Sequence, residues 1–182
     1  MKKITIIIII IVLATLLLWM QILPKIYPQK YCEYVEKYAK EYKLDPLLIY
    51  SIIKVESNFK YDAKSNSNAI GLMQVMLSTA QEMGKKLELE GITEEKLYEP
   101  EINIKIGIKY FKNLLEKYND YNLAIIAYNA GMGNLDKWIE QGIIDEQDQN
   151  IEDIPFPETK NYVKKILRIY QIYQEIYNKE DK

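Results

Sequence analysis

From Ile4 to Leu23 the chain is apolar except at Thr5, Thr15 and Gln21. Coiled as a helix rising ~1.5 Å per residue, such a run is about 30 Å long, the thickness of a bilayer's hydrocarbon core. Lys2 and Lys3 precede it. Positive charge on the short leading side holds that end in the cytoplasm and places the rest of the chain outside. A cleaved secretory signal would have a shorter apolar core ending in small residues, whereas Trp19, Met20, Gln21, Ile22, Leu23 and Pro24 follow here. Cys32 is preceded by Lys30 and Tyr31, not by the small residues of a lipid-attachment site. Residues 1–23 are therefore expected to be a retained single-pass anchor in the cytoplasmic membrane; were they cleaved, the product would be secreted. Residues 24–30, with Pro24 and Pro28, read as a short stiff spacer. Residues 31–182 form one extracytoplasmic domain, long enough to bury its own core.

Within that domain the apolar residues recur at helical spacing and strand-like alternation is absent, which predicts an all-α fold with room for a short hairpin in its loops. Tyr31, Tyr34, Val35, Tyr38, Ala39 and Tyr42 mark a first amphipathic helix with a tyrosine packing face. Asp45-Pro46 starts a second, the aspartate capping free backbone N–H groups and the proline occupying a first-turn position that needs none. Further helices are expected from Gly71 to Gly84, Ile102 to Tyr118, Leu123 to Asn129, around Trp138, and from about Glu158 to Tyr177.

The second helix carries the first chemical signal. Leu48, Ile49, Ile52 and Ile53 form its apolar stripe, and one further i+4 step from Ile52 lands on Glu56. A carboxyl set against isoleucines at a helix C-terminus is harder to ionise, because burial and the negative end of the helix both disfavour the charged form. Such a group stays protonated near neutral pH and can serve as a general acid; the rival reading of these residues alone is a glutamate that frays from the helix end into solvent.

Composition removes most rival chemistries. There is no histidine, so His-assisted nucleophiles and His-based metal sites are excluded, leaving carboxylates as the acid–base groups. No metal or organic cofactor is implied. The single cysteine cannot form an internal disulfide. With a formal net charge of −2 and lysines scattered among acids, the chain lacks the concentrated basic face that nucleic acid requires.

Three strings in fixed order, Glu56-Ser57, Gly71-Leu72-Met73-Gln74 and Ala127-Tyr128-Asn129-Ala130-Gly131, resemble the motifs of the soluble lytic transglycosylase family. The likeness continues through Pro100, Asn103-Ile104 and Gly107, and through Ile154-Pro155-Phe156-Pro157-Glu158-Thr159 followed by Tyr162-Val163, and it covers roughly Leu44 to Tyr173. It implies a lysozyme-like fold of the goose-type lysozyme and lytic transglycosylase kind, acting on peptidoglycan glycan strands. It makes Glu56 the sole catalytic acid, then base, with the substrate's N-acetyl group assisting and the C6 hydroxyl attacking to give a 1,6-anhydro-muramyl end. By position it makes Ser65 a contact to the muramyl group, Met73 a wall of the cleft, Gln74 and Asn129 sugar contacts, Tyr128 a phenol that can orient the carboxylate, and Glu158 a cleft-supporting acid. Buried packing is the rival role for Met73 and Tyr128, a turn for Ser65, and helix-dipole stabilisation for Glu158. Asp62, the nearest second carboxylate, reads as a loop residue that holds a turn. Leu77-Ser78 replaces a Pro-Gly pair common in the family, and Pro157 an arginine; both bear on loop shape.

The resulting expectation is a membrane-anchored peptidoglycan lytic transglycosylase. Its rivals are a goose-lysozyme-like hydrolase, in which water replaces the C6 hydroxyl, and a catalytically idle glycan-binding envelope protein.

Overall fold

The computed structural model describes residues 4–6, 10–11, 19, 21–147 and 150–178. The anchor expected over 1–23 lies largely outside these residues, and among the described residues no helix is long and apolar enough to cross a membrane. Residues 21–26 are helical. The segment that follows is held against the domain: the hydroxyls of Tyr173 and Tyr177 donate to the carbonyls of Pro28 (2.9 Å) and Tyr27 (2.8 Å).

Helix α1 (Cys32–Tyr42) ends at Lys43, which turns the chain in a left-handed conformation. Helix α2 (Pro46–Glu56) begins as its sequence dictates, with Asp45 Oδ1 accepting from the backbone N–H of Leu47 at 2.8 Å and Pro46 at the first helical position. Every residue from Leu47 to Ile53 is buried, so α2 is the central helix of the fold rather than a surface helix with one apolar stripe. It packs against α1 and against the last helix, α7 (Pro157–Tyr177). Tyr170 of α7 donates its hydroxyl to the second oxygen of the Asp45 cap at 2.5 Å, fastening the two helices at that end. Helices α4 (Pro100–Tyr118) and α5 (Tyr121–Ala130) complete the core, with α1 on α4 and α5 on α4 and α7. Helix α6 (Met132–Glu140) covers α5.

The segment from Gly71 to Gly84 departs from the expected helix. A two-stranded antiparallel hairpin comes first, β1 (Ala69–Ile70) pairing with β2 (Val75–Met76) in the register Ala69 to Met76 and Ile70 to Val75. Helix α3 (Leu77–Lys86) starts only afterwards. Two residues of the intervening turn take positive φ, Gly71 at 77° and Gln74 at 48°, which a continuous helix does not allow. Asn103 of α4 fixes the turn: its Oδ1 accepts from Met73 N, and its Nδ2 donates to the carbonyls of Ile70 and Leu97, all at 2.8 Å. A Cβ on Gly71 would lie 2.2 Å from that Nδ2, so only glycine fits. Buried amides are retained where every polar atom finds a partner, and Asn103, 1% exposed, meets that condition.

Candidate active site

Glu56 is the last residue of α2. The next residue, Ser57, is buried and donates its hydroxyl to Leu72 O at 2.8 Å and Ile53 O at 3.2 Å, joining the helix end to the hairpin turn. Across from it, Tyr162 of α7 donates its hydroxyl to Glu56 Oε1 at 2.6 Å. Burial pushes the Glu56 carboxyl up to about 7 from an ordinary 4.5, against the opposing pull of the Tyr162 hydrogen bond and the Lys165 ammonium. Burial, and then the Glu56 charge, hold the Tyr162 phenol well above its usual range, so it remains a donor to the carboxylate. The acid therefore sits near the midpoint of its titration at neutral pH, with one oxygen oriented and proton exchange in either direction nearly balanced.

Two depressions lie along the same face of α7. One, of about 490 Å³, is lined by Glu56, Ser65, Gln74, Lys54, Lys165 and Ile169 among others. The other, of about 440 Å³, is lined by Ser67, Asn129, Phe156 and Glu158 with their neighbours. Residues 158, 162, 165 and 169 are spaced by three and four, so Glu158, Tyr162, Lys165 and Ile169 succeed one another over about 16 Å of helix. Glu56 lines the first depression, and Tyr162, which holds its carboxyl, lies along α7 between the residues that line the two.

The residues singled out from sequence divide between cleft and core. Ser65 faces the first depression, its Oγ accepting from Ala69 N at 3.0 Å. Gln74 faces it too, with its amide donating to the carbonyls of Gly71 (2.9 Å) and Ala63 (3.2 Å). Asn129 and Glu158 line the second depression. Met73 does not wall the cleft: it is 0% exposed and packs on Gly107, where a Cβ would come within 2.5 Å of its sulfur. Tyr128 does not orient the carboxylate, for its hydroxyl donates to Met73 O at 2.7 Å and its ring packs on Tyr110 and Phe111. It braces the turn that carries Gln74, while Tyr162 takes the role expected of it. The Tyr162-Val163 string was the available signal, since it stood among the motifs and lies one helical turn beyond Glu158. Asp62 is exposed and lines neither depression. Among the described residues no second carboxylate joins Glu56 in the lining of the first.

Fold and site together define a lysozyme-like helical domain whose cleft holds one desolvated glutamate. The chain belongs to the transglycosylase SLT domain family, whose profile matches residues 33–151. It is 32% identical over 157 residues to a putative soluble lytic murein transglycosylase of Haemophilus influenzae, covering 85% of this chain and 26% of that protein. It is 31% identical over 172 residues to the membrane-bound lytic murein transglycosylase C of Actinobacillus pleuropneumoniae, covering 81% of this chain and 47% of the relative. Among solved structures, an inactive glutamate-to-glutamine variant of the lytic transglycosylase Slt from Pseudomonas aeruginosa superposes with a TM-score of 0.74 at 32% identity, covering 84% of this chain and 25% of that one. The chain spans about a quarter of the length of the soluble relatives.

Proposed function

We propose that this chain is a peptidoglycan lytic transglycosylase that cleaves the β-1,4 bond between N-acetylmuramic acid and N-acetylglucosamine without consuming water. The observation that carries the reading is the Glu56 carboxyl, half-buried beside a sugar-sized cleft, held near neutrality and oriented by Tyr162. Protonated Glu56 donates to the bridging oxygen as the anomeric carbon–oxygen bond breaks, and the departing sugar leaves with a free 4-hydroxyl. The substrate's N-acetyl group supports the positive charge at the anomeric carbon. Glu56, now a carboxylate, accepts the proton of the muramyl C6 hydroxyl as O6 bonds to that carbon, closing the 1,6-anhydro ring and restoring the acid. An acid that titrates near the working pH serves both halves, and an oriented intramolecular hydroxyl gains a large effective concentration over water. Ser65, Gln74, Asn129 and Glu158 hold the strand along the α7 face.

Sacculi digested in heavy-oxygen water should release anhydro-muramyl products without label at the new end, and Glu56→Gln should lower turnover by about 10²–10⁴-fold with the fold intact. Labelled reducing ends would make the chain a hydrolase of the goose-lysozyme kind. Near-wild-type turnover in the variant would remove Glu56 from the chemistry.

The domain is held at the outer face of the cytoplasmic membrane by residues 1–23, a reading supported by Lys2, Lys3 and the apolar run. Full-length chain should fractionate with the membrane and be degraded by protease added from outside; recovery of a mature chain beginning near Pro24 would overturn the anchor.

A further inference from the structure

Lys54, Lys64 and Lys165 line the depression that holds Glu56, a local excess of positive charge in a chain whose formal net charge is −2. Lys64 is neutralised by Glu94 at 2.7 Å. Among the described residues neither Lys54 nor Lys165 enters an ion pair. Lys54 is half-buried and rests on neutral groups, donating to Asn58 Oδ1 at 2.6 Å, with its ammonium 5.7 Å from the centre of the Tyr27 ring. Burial first, then the charges of Lys165 and Lys30, push that ammonium below its ordinary range. Lys165 lies one turn past Tyr162, close enough for its charge to favour the ionised form of Glu56, yet it forms no direct pair with it. The two elements that supply the Glu56–Tyr162 pair thus each bring an unneutralised lysine to the same hollow. Two like charges in a partly desolvated site whose one facing anion, Glu56, is only half ionised at neutral pH are unfavourable until a further anion joins them.

On the substrate reading above, the anion is identifiable. The N-acetylated glycan backbone is neutral, and the negative charges of peptidoglycan are carboxylates carried on the muramyl C3 substituent. We propose that Lys54 and Lys165 form a subsite for the carboxylates of the stem peptide on the muramyl residue at the scissile bond, so that the cleft favours peptide-bearing strands. Ser65 lines the same hollow; taken as the muramyl contact that the family resemblance implies, it puts this subsite on the muramyl side of Glu56.

The test uses the full-length chain in detergent and three preparations of one glycan-strand pool: native stems, stems with their carboxylates amidated, and strands denuded by an amidase, which exposes the lactyl carboxylate. Each lysine contributes between the level of an exposed ion pair and that of a charge-assisted hydrogen bond, so KM for native strands should be lower than for amidated strands by about 3- to 10-fold per lysine. Lys165→Gln and Lys54→Gln should each raise KM on native strands and leave KM on amidated strands unchanged, while Lys165→Gln, which removes a charge that favours ionised Glu56, should also move the alkaline limb of kcat upward on every strand alike; high salt should shrink the preference. Lys165 is exposed, so its variant tests the idea without disturbing the core. Equal KM on native and amidated strands, or equal losses on both in the variants, would overturn the subsite. A lysine-dependent preference confined to denuded strands would overturn the stem peptide as its ligand and assign the lactyl carboxylate. Binding of the same three preparations to the Glu56→Gln chain separates this inference from the reaction: a lysine-dependent preference in Kd without wild-type cleavage of any strand refutes the reaction alone, and cleavage without preference refutes the subsite alone.

Discussion

Replacing Glu56 by glutamine should make the protein more stable, and by an amount that depends on pH in a specified way. Burial raises the carboxyl from 4.5 to about 7, so the folded chain binds this proton more tightly than the unfolded chain does. The cost of ionising the folded state is absent below about pH 4.5, grows as pH rises from there to about 7, and is constant above it. At 1.36 kcal/mol per pH unit, the interval between those two values corresponds to about 3 kcal/mol. Glu56→Gln removes the charge while leaving an amide oxygen that can accept from Tyr162, so the variant escapes that cost. Urea denaturation of both proteins between pH 4 and pH 8.5 should show the variant gaining about 3 kcal/mol relative to wild type across the range, with nearly all of the change between pH 4.5 and 7.5. In thermal melts at pH 8 the same difference is roughly 6–12 °C, at about 2–4 °C per kcal/mol for a chain of this size. Parallel stability curves would mean that Glu56 is not desolvated. A variant that loses ground as pH rises would mean that its carboxylate is stabilised by the fold, and the acid–base argument would fail with it.

Tyr162→Phe removes the donor at 2.6 Å from Glu56 Oε1. A charge-assisted hydrogen bond of about 1.5–3 kcal/mol favours the ionised form, so the alkaline limb of the kcat/KM profile should move up by about one to two pH units, with kcat reduced by the loss of orientation; an unmoved limb would show that another group sets it. Asn103→Ala should cost about 3–5 kcal/mol in urea denaturation, because it strands Met73 N and the carbonyls of Ile70 and Leu97 in the core; a loss below 1 kcal/mol would mean that the hairpin turn holds itself.

What the sequence disclosed and what it withheld follow from the range of the interactions involved. The start of α2 was legible because Asp45, Pro46 and Leu47 settle it among themselves. The depth of Glu56 was legible because the stripe from Leu48 to Ile53 points to it by simple periodicity. The hairpin at Ala69–Met76 was not, since the positive φ angles of Gly71 and Gln74 are stabilised by Asn103, some thirty positions later. Nor could local pattern decide which phenol meets Glu56. Tyr128 sits inside the recognised motif and Tyr162 beside one, but the choice depends on how α5 and α7 pack around α2, and Tyr128 spends its hydroxyl on Met73 O. Met73 was misplaced for the same reason: a turn of unforeseen shape aims it at Gly107 instead of at the sugar.

The phenols that clasp Tyr27 and Pro28 have a consequence for architecture. Tyr177 closes α7 with its hydroxyl on the Tyr27 carbonyl, so the two ends of the folded body meet at one place. A body whose ends meet can be hung from a longer polypeptide, or from a bilayer, by a single point without being pulled open. That point lies beside Lys54, since the Tyr27 ring faces its ammonium, and α7 runs from there past Ile169, Lys165 and Tyr162 to Glu158. Whatever is attached before Tyr27 or after Tyr177 therefore joins the body at the lysine end of the cleft, at the opposite end of α7 from Glu158.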